Sequence, residues 1–135
     1  MPAWVTQAYE DYTRRLRSHL RIDLEELAVG KSRADEEKRL LARVDDDYLV
    51  ALDEHGKSLT TVDLARWLSQ RLQDGRDLCF VIGGADGLGP EILKKADLRW
   101  SLSGLTFPHA MVRVILAEQL YRAHSVLHNH PYHRE

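Results

Sequence analysis

The stretch LCFVIGGADGLGP, residues 78–90, decides the fold class. Its first five residues are apolar throughout, which is typical of a strand that is covered on both faces in a parallel sheet. A glycine-rich loop follows at once, and Pro90 is a favourable first residue for a helix. Because strand, short loop and helix in succession are the repeating unit of α/β proteins, the stretch predicts an α/β fold with a parallel sheet.

The rest of the chain continues this alternation of strands and helices. Apolar residues at helical spacing predict further helices at residues 3–19, at 35–44, from Thr60 or Thr61 to Gly75, and at 109–127. Runs of strand-forming residues predict strands at 48–52, at 100–103 and around Ile22 and Leu24, and residues 53–56 are expected to turn the chain. Such a pattern predicts a parallel sheet with helices on both faces.

Composition limits the class of protein. The 135 residues suffice for one domain, and 44% hydrophobic with 30% charged residues is ordinary for a soluble globular chain. No apolar run has the length of a membrane helix, the start is unlike a signal peptide, and the single Cys79 excludes an internal disulfide framework. We therefore expect a cytoplasmic protein with no membrane partner. At a net charge of −2, binding a polyanion would require locally gathered basic residues.

Candidate ligand sites lie where the predicted strands end, because open α/β sheets bind ligands at the carboxyl ends of their strands. This directs attention to the loops after Leu52, Ile82 and Ser103. The GGADGLG loop has neither dinucleotide-binding nor phosphate-loop spacing, so it is either a close backbone approach to some other ligand or a tight turn. Residues 101–113, SLSGLTFPHAMVR, form either a backbone pocket for a polar, adenine-like edge or a simple connection.

The C-terminal region carries the most reactive side chains. Glu118 and Arg122 are one helical turn apart, which fits either a surface ion pair or two residues that face a site. The chain then ends in NHPYHRE, residues 129–135, which contains no aliphatic side chain. The histidines of this region have spacings that can suit a metal, but with no cysteine nearby we do not expect a metal site.

Three segments together identify a family resemblance. They are FVIGGADGLG (80–89), WSLSGLTFPHAMVRVILAEQLYRA (100–123) and the terminal NHPYHRE, in this order and spacing. The chain closely resembles the ribosomal RNA large subunit methyltransferase H family, small members of the SPOUT superfamily. The resemblance is strong from about residue 48 to residue 135, and MPAWV…YEDYTRRL at the start is similar to the first helix of the family.

The resemblance implies a fold with specific features. It implies a single SPOUT-type methyltransferase domain over residues 1–135, in which a parallel sheet carries a C-terminal deep trefoil knot. Members of the family usually begin with a further short strand, whereas this chain starts at the following helix, so we expect the N-terminal strand to be missing. The segment between Leu27 and Asp45 is also shorter than is usual in the family, which bears on RNA docking.

The resemblance also implies an activity. The protein would be a homodimer that uses S-adenosylmethionine to methylate N3 of a pseudouridine in large-subunit (23S) ribosomal RNA, on the assembled 70S ribosome. Carried over by position, the cofactor pocket falls on Leu52, Gly84, Ser103, Gly104, Leu105, Thr106, Phe107 and Pro108. The residues around the target base would be Tyr132, His133, Arg134, Glu118, Arg122 and His109.

The residue types suit this chemistry. A uridine-type N3–H must lose its proton before nitrogen attacks, and histidine titrates near neutrality. An arginine can stabilise negative charge on the base carbonyls, and a tyrosine can stack on a flipped base. Two alternatives remain open: a non-catalytic ribosome- or RNA-binding protein of the same fold, impaired by its shortened N-terminal half, and a metal-dependent hydrolase that uses the histidine-rich tail.

Overall fold

The computed structural model describes residues 2–17, 20, 23, 32–83 and 87–134, without the side chains of His133 and Arg134. In chain order its elements are α1 (Ala3–Leu16), α2 (Arg33–Val44), β1 (Tyr48–Ser58), α3 (Thr61–Asp74), β2 (Leu78–Ile82), α4 (Pro90–Lys95), β3 (Leu98–Ser101), α5 (His109–Leu127) and a 3-10 turn (Pro131–Arg134). The predicted strand at Ile22 and Leu24 lies outside the described residues.

The chain divides into two compact units. The helical unit comprises Met1–Leu24, Leu59–Asp74 and Thr106–Glu135, and the sheet unit comprises Glu25–Ser58 and Gly75–Leu105. Both units are therefore discontinuous in sequence. The expected single domain over residues 1–135 stays a prediction.

The sheet unit contains the predicted parallel sheet. Its three strands lie in the order β2-β1-β3, and both outer strands run parallel to β1. Its core consists of buried residues from the strands, from helices α2 and α4 and from the loop before α4: Val44, Leu49, Ala51, Val81, Leu88 and Ile92. The α/β prediction is thus confirmed. The knot, the coverage of both sheet faces and the missing N-terminal strand stay predictions.

The predicted turn at residues 53–56 is wrong, because β1 continues through it to Ser58. The register is irregular there, since Leu52 and Lys57 both lie opposite Trp100. Gly56 explains why the strand can continue: a Cβ at this position would lie 2.7 Å from the carbonyl carbon of Arg99, so only glycine lets the chain run this close to β3. The four residues that resemble a turn lie inside the strand, at this irregularity in its register. Strand β3 also begins and ends two residues earlier than predicted.

The predicted helices are confirmed with small changes at their ends. Helix α2 begins two residues earlier than expected, after Ser32, whose hydroxyl accepts a hydrogen bond from the Asp35 N–H at 3.1 Å. Helix α3 begins after Thr60, whose hydroxyl accepts from the Asp63 N–H at 3.1 Å, and Gly75 follows it with a positive φ of 81°. Helix α1 ends at Leu16, three residues short of the prediction.

Helices α1, α3 and α5 form the helical unit, in which α5 packs against both of the others. Each helix contributes residues that are less than a tenth exposed: Val5 and Leu16, Leu64 and Leu68, and Leu116, Leu120 and Ala123. Among the described residues, no helix combines the length and the hydrophobicity needed to cross a membrane.

Candidate functional site

Strands β2 and β3 end at the same level on the two sides of β1, which itself continues to Ser58. Leu52 of β1 pairs with Ile82 of β2 on one side and with Trp100 of β3 on the other. The glycine loop that starts at Gly83 and the loop that starts after Ser101 therefore leave the sheet at the same level. This is the edge at which the sequence predicts a ligand.

The two described ends of the glycine loop lie close to each other. A Cβ on Gly83 would lie 2.6 Å from the carbonyl carbon of Gly87, which itself has a φ of 73°. No other residue type than glycine tolerates this contact without a shift of the backbone. The described ends of the loop therefore lie close together, whereas the choice between a turn and a ligand-binding loop stays a prediction, because the predicted cofactor residue Gly84 lies outside the described residues.

The loop after β3 is held by two serines. The Ser101 hydroxyl donates to the Ser103 carbonyl at 2.9 Å, and the Leu105 N–H donates to the Ser103 hydroxyl at 3.0 Å. A Cβ added to Gly104 would meet no atom within 4 Å, and Leu105 is 73% exposed. The loop thus has a defined shape, open space beside its backbone and an uncovered apolar side chain.

Thr106, Phe107 and Pro108 belong to the helical unit and lead into α5. The Pro108 carbonyl accepts the first hydrogen bonds of that helix, from the Met111 N–H at 3.0 Å and the Val112 N–H at 3.3 Å. Pro108 is therefore the residue at which the predicted cofactor segment passes into the longest helix.

A second group of predicted residues meets on the helical unit. Glu118 Oε1 accepts from Arg122 Nε at 2.8 Å, lies 2.6 Å from Arg122 Nη2, and lies 3.1 Å from the Tyr132 hydroxyl. The Arg122 guanidinium also lies over the Tyr132 ring, 5.0 Å from its centroid. At 17% and 23% side-chain exposure, Glu118 and Arg122 are largely covered, so they are no ordinary surface pair. The structure therefore brings three of the six predicted base-contacting residues together.

The surroundings shift two pKa values in this group. Burial, the hydrogen bond with Tyr12 and the nearby Glu118 carboxylate raise the pKa of the Tyr132 phenol above its usual 10.0. The hydrogen bond to Glu118 raises the pKa of the Arg122 guanidinium. At neutral pH Tyr132 is thus a neutral hydrogen-bond donor and Arg122 a fixed cation.

The path of the tail is fixed by its backbone. Asn129 adopts a positive φ of 55°, which asparagine tolerates better than most residues. The His130 N–H then donates to the Ser125 carbonyl at 2.8 Å, and the Tyr132 N–H donates to Nδ1 of His130 at 3.2 Å. The tail is therefore folded back along the end of α5, and His133 and Arg134 follow Tyr132 within the same 3-10 turn.

Sequence reasoning missed Tyr12 and Tyr121. The Tyr12 hydroxyl lies 3.4 Å from that of Tyr132, and the Tyr121 ring centroid lies 4.6 Å from that of Tyr132. The Arg15 guanidinium lies over the ring of Tyr12, 5.6 Å from its centroid, and over the ring of Tyr121, 5.5 Å from its centroid. A signal was available, since Tyr12 lies on the apolar stripe of α1 and a covered phenol needs a hydrogen-bond partner.

His109 is separate from this group. It is the first residue of α5, nine positions before Glu118. At 1.5 Å rise per residue the two lie about 14 Å apart along the helix axis. The rings of His124 and His128 lie 4.2 Å apart between centroids and are tilted by 46°, and the described residues include no group of three or more potential metal ligands.

Comparison with known proteins gives consistent matches. A family model described as "Predicted SPOUT methyltransferase" matches residues 1–133. A protein of Methylobacillus flagellatus is 49% identical over 144 residues, which covers 100% of this chain and 93% of that protein. A protein of Alkalilimnicola ehrlichii is 50% identical over 143 residues, covering 99% and 92%. Both are named ribosomal RNA large subunit methyltransferase H, as is a relative from Herminiimonas arsenicoxydans at 49% identity, with 99% of this chain and 92% of that protein covered.

Proposed function

Because the chain belongs to the ribosomal RNA large subunit methyltransferase H family of SPOUT methyltransferases, we propose that it methylates large-subunit ribosomal RNA. The finer proposal is N3 of a pseudouridine in the 23S RNA of the assembled 70S ribosome, with S-adenosylmethionine as cofactor. The observation that carries the proposal is the covered Glu118–Arg122–Tyr132 group, because it joins the tail to α5 in a site of suitable residue types.

The described loop residues fit the cofactor. Gly104 has open space where a side chain would be, and the exposed Leu105 offers an apolar contact. The cofactor would be held by Leu52, Gly84, Ser103, Gly104, Leu105, Thr106, Phe107 and Pro108. When bound, S-adenosylmethionine supplies a methyl group on a sulfonium centre.

The remaining chemistry falls to the side chains of the tail and of α5. The N3–H proton must be removed, and Tyr132 is excluded as the base near neutral pH because its raised pKa keeps the phenol protonated. We assign proton removal to a histidine, His133 first and His109 second. Arg134 and Arg122 would stabilise the charge on the base carbonyls, with Glu118 fixing the orientation of Arg122.

The protein is further proposed to be a cytoplasmic homodimer with a trefoil knot. Helix α5 carries apolar residues beyond those that it buries within the helical unit. Val112, Ile115 and Val126 are only partly covered, and Leu127 is 36% exposed. These residues would suit an interface with a second copy, in which one subunit's tail completes the pocket of the other.

The direct test is the mass of ribosomal RNA after incubation with the protein and isotopically labelled S-adenosylmethionine. We expect one labelled methyl group in large-subunit RNA from assembled ribosomes, and none with Arg134→Ala, which should still bind the cofactor. RNA binding without methyl transfer would instead identify a non-catalytic relative. Absence of cofactor binding at about 1 mM, a concentration at which even weak sites fill, would remove the enzyme proposal.

A further inference from the structure

Helix α2 is tied to the end of the glycine loop by two of its side chains. Arg33 Nη2 donates to the Leu88 carbonyl at 2.7 Å. One turn later, Glu37 Oε2 accepts from the Glu91 N–H at 3.0 Å and from the Ile92 N–H at 3.2 Å. Positions four apart lie on the same side of a helix, so both side chains reach the same strand-to-helix connection.

The carboxylate reaches those amides through the space that Gly89, which has no side chain, leaves open. A Cβ on Gly89 would collide with the Glu37 carboxylate. The first N–H groups of a helix have no partner within the helix, and here a charged acceptor satisfies two of them in α4. Glu37 is thus the cap of α4 and comes from a distant part of the sequence. Gly89, the residue at the N-cap position, has no side chain that could act as a cap.

The two ties act on a loop that is also closed at its base. The backbones of Gly83 and Gly87 lie against each other. The next residue, Leu88, accepts the hydrogen bond from Arg33 through its backbone carbonyl, and its side chain is buried in the core of the sheet unit. The described ends of the loop therefore have one position relative to β2 and α4. A loop whose ends are already anchored loses less conformational entropy when it binds a ligand than one whose ends are free.

We propose that Arg33 and Glu37 are positioning residues for the methyl donor, acting through the glycine loop without touching the ligand. The proposal rests on the proposed function, in which the glycine loop contributes to the cofactor pocket. It extends the functional part of the chain to α2, a helix in which none of the predicted site residues lies.

The test compares Glu37→Ala with Glu36→Ala, which removes the same kind of side chain from the neighbouring position of α2. The Kd for S-adenosylmethionine is measured by calorimetry and expressed per folded molecule. Losing two charge-assisted hydrogen bonds should raise the Kd about tenfold in Glu37→Ala and leave it within about twofold in Glu36→Ala. Arg33→Ala, with Arg39→Ala as its control, should show the same direction with a smaller change.

Two further measurements separate positioning from simple stability. Glu37→Gln should recover most of the affinity, because an amide oxygen can accept the same two N–H groups. In the methylation assay, Glu37→Ala should raise the KM for the cofactor while leaving kcat at saturating cofactor within about twofold. A purely structural role would lower the folded fraction and the apparent kcat while the Kd per folded molecule stayed constant.

The possible results distinguish failure of the proposed function from failure of the positioning role. If the wild-type chain does not bind S-adenosylmethionine, the proposed function fails, and the positioning role fails with it. If the wild-type chain binds and Glu37→Ala binds as tightly as Glu36→Ala, the positioning role alone is wrong. Should Glu37→Ala fail to fold, Arg33→Ala and Glu37→Gln decide: a Kd raised in the first and near the wild-type value in the second supports the proposal, and unchanged values in both overturn it.

Discussion

At the scale of single residues, Tyr132 depends on a partner more than a hundred positions earlier in the chain. Its hydroxyl is the donor toward Glu118 Oε1 at 3.1 Å and toward the Tyr12 hydroxyl at 3.4 Å, and both contacts favour the protonated phenol. Tyr12 therefore orients Tyr132 without being part of the tail.

Replacing Tyr12 tests this role. Tyr12→Phe should lower the methylation rate about two- to tenfold, the value of one net hydrogen bond, and leave cofactor affinity unchanged. The matched control is Tyr9→Phe, which removes a half-covered phenol one turn earlier on the same helix. Equal rates for the two variants in the RNA methylation assay would show that the contact with Tyr132 does not matter.

The raised pKa of Tyr132 predicts its behaviour in alkali. A phenol whose pKa is raised by folding stabilises the folded state fully below the unfolded value of 10.0 and loses that contribution as pH rises through the folded value. Tyr132 should thus stay neutral at pH 10, where an ordinary phenol is half ionised. In a phenolate absorbance titration, Tyr132→Phe should leave the amplitude near pH 10 unchanged, and a loss of one tyrosine's amplitude there would contradict the assignment.

Gly104 allows a substitution that reports on a ligand without disturbing the protein. Because an added Cβ meets no atom within 4 Å, Gly104→Ala should leave the melting temperature unchanged. If the cofactor lies against this backbone, the same methyl group should weaken its binding about tenfold or more. Gly56→Ala is the contrasting variant, since its Cβ would strike β3 and should lower stability. Unchanged affinity in Gly104→Ala would move the pocket away from this loop.

At the scale of elements, local signals predicted the structure well wherever one element decides its own conformation. Pro90 and Pro108 mark helix starts, and the apolar runs at 48–52 and 78–82 are strands. The sequence failed at residues 53–56 because their turn-like composition is overridden by a contact with β3, which no local pattern reveals.

In the candidate site, too, the sequence predicts contacts between neighbouring residues and misses contacts between distant segments. Glu118 and Arg122 could be paired from their spacing alone. Glu37 could not be linked to Gly89 or Ile92, because these residues are more than fifty positions apart and meet only after the sheet unit has formed. Contacts between distant segments decide which of many charged side chains becomes part of a site.

Helix α3 offers a test of a local signal. Its start is a reciprocal cap, in which the Thr60 hydroxyl accepts from the Asp63 N–H at 3.1 Å and the Asp63 carboxylate lies 3.4 Å from the Thr60 N–H. Thr60→Ala should lower the free energy of unfolding by about 1 kcal/mol, whereas Thr61→Ala, inside the helix, should change it little. Denaturant unfolding measures both, and equal losses would show that the cap does not hold α3.

At the scale of the whole molecule, the proposed sharing of sites between two subunits can be tested by mixing inactive variants. Arg134→Ala damages the tail and Gly84→Val the pocket. In a two-fold symmetric dimer with shared sites, an equal mixture with free exchange should recover about a quarter of wild-type activity, since half the dimers are mixed and each has one intact site. No recovery, despite demonstrated exchange, would mean that each tail serves its own pocket.

The discontinuity of the two units has a consequence for synthesis. Helix α1 is made early, but its packing partner α5 is made about a hundred residues later, which at about 5–20 residues per second is a delay of many seconds. During that interval the apolar stripe of α1 has no native surface to cover it. The nascent chain should therefore depend on a chaperone more than its length suggests, and a circular permutant that places α5 directly before α1 should be released from that dependence.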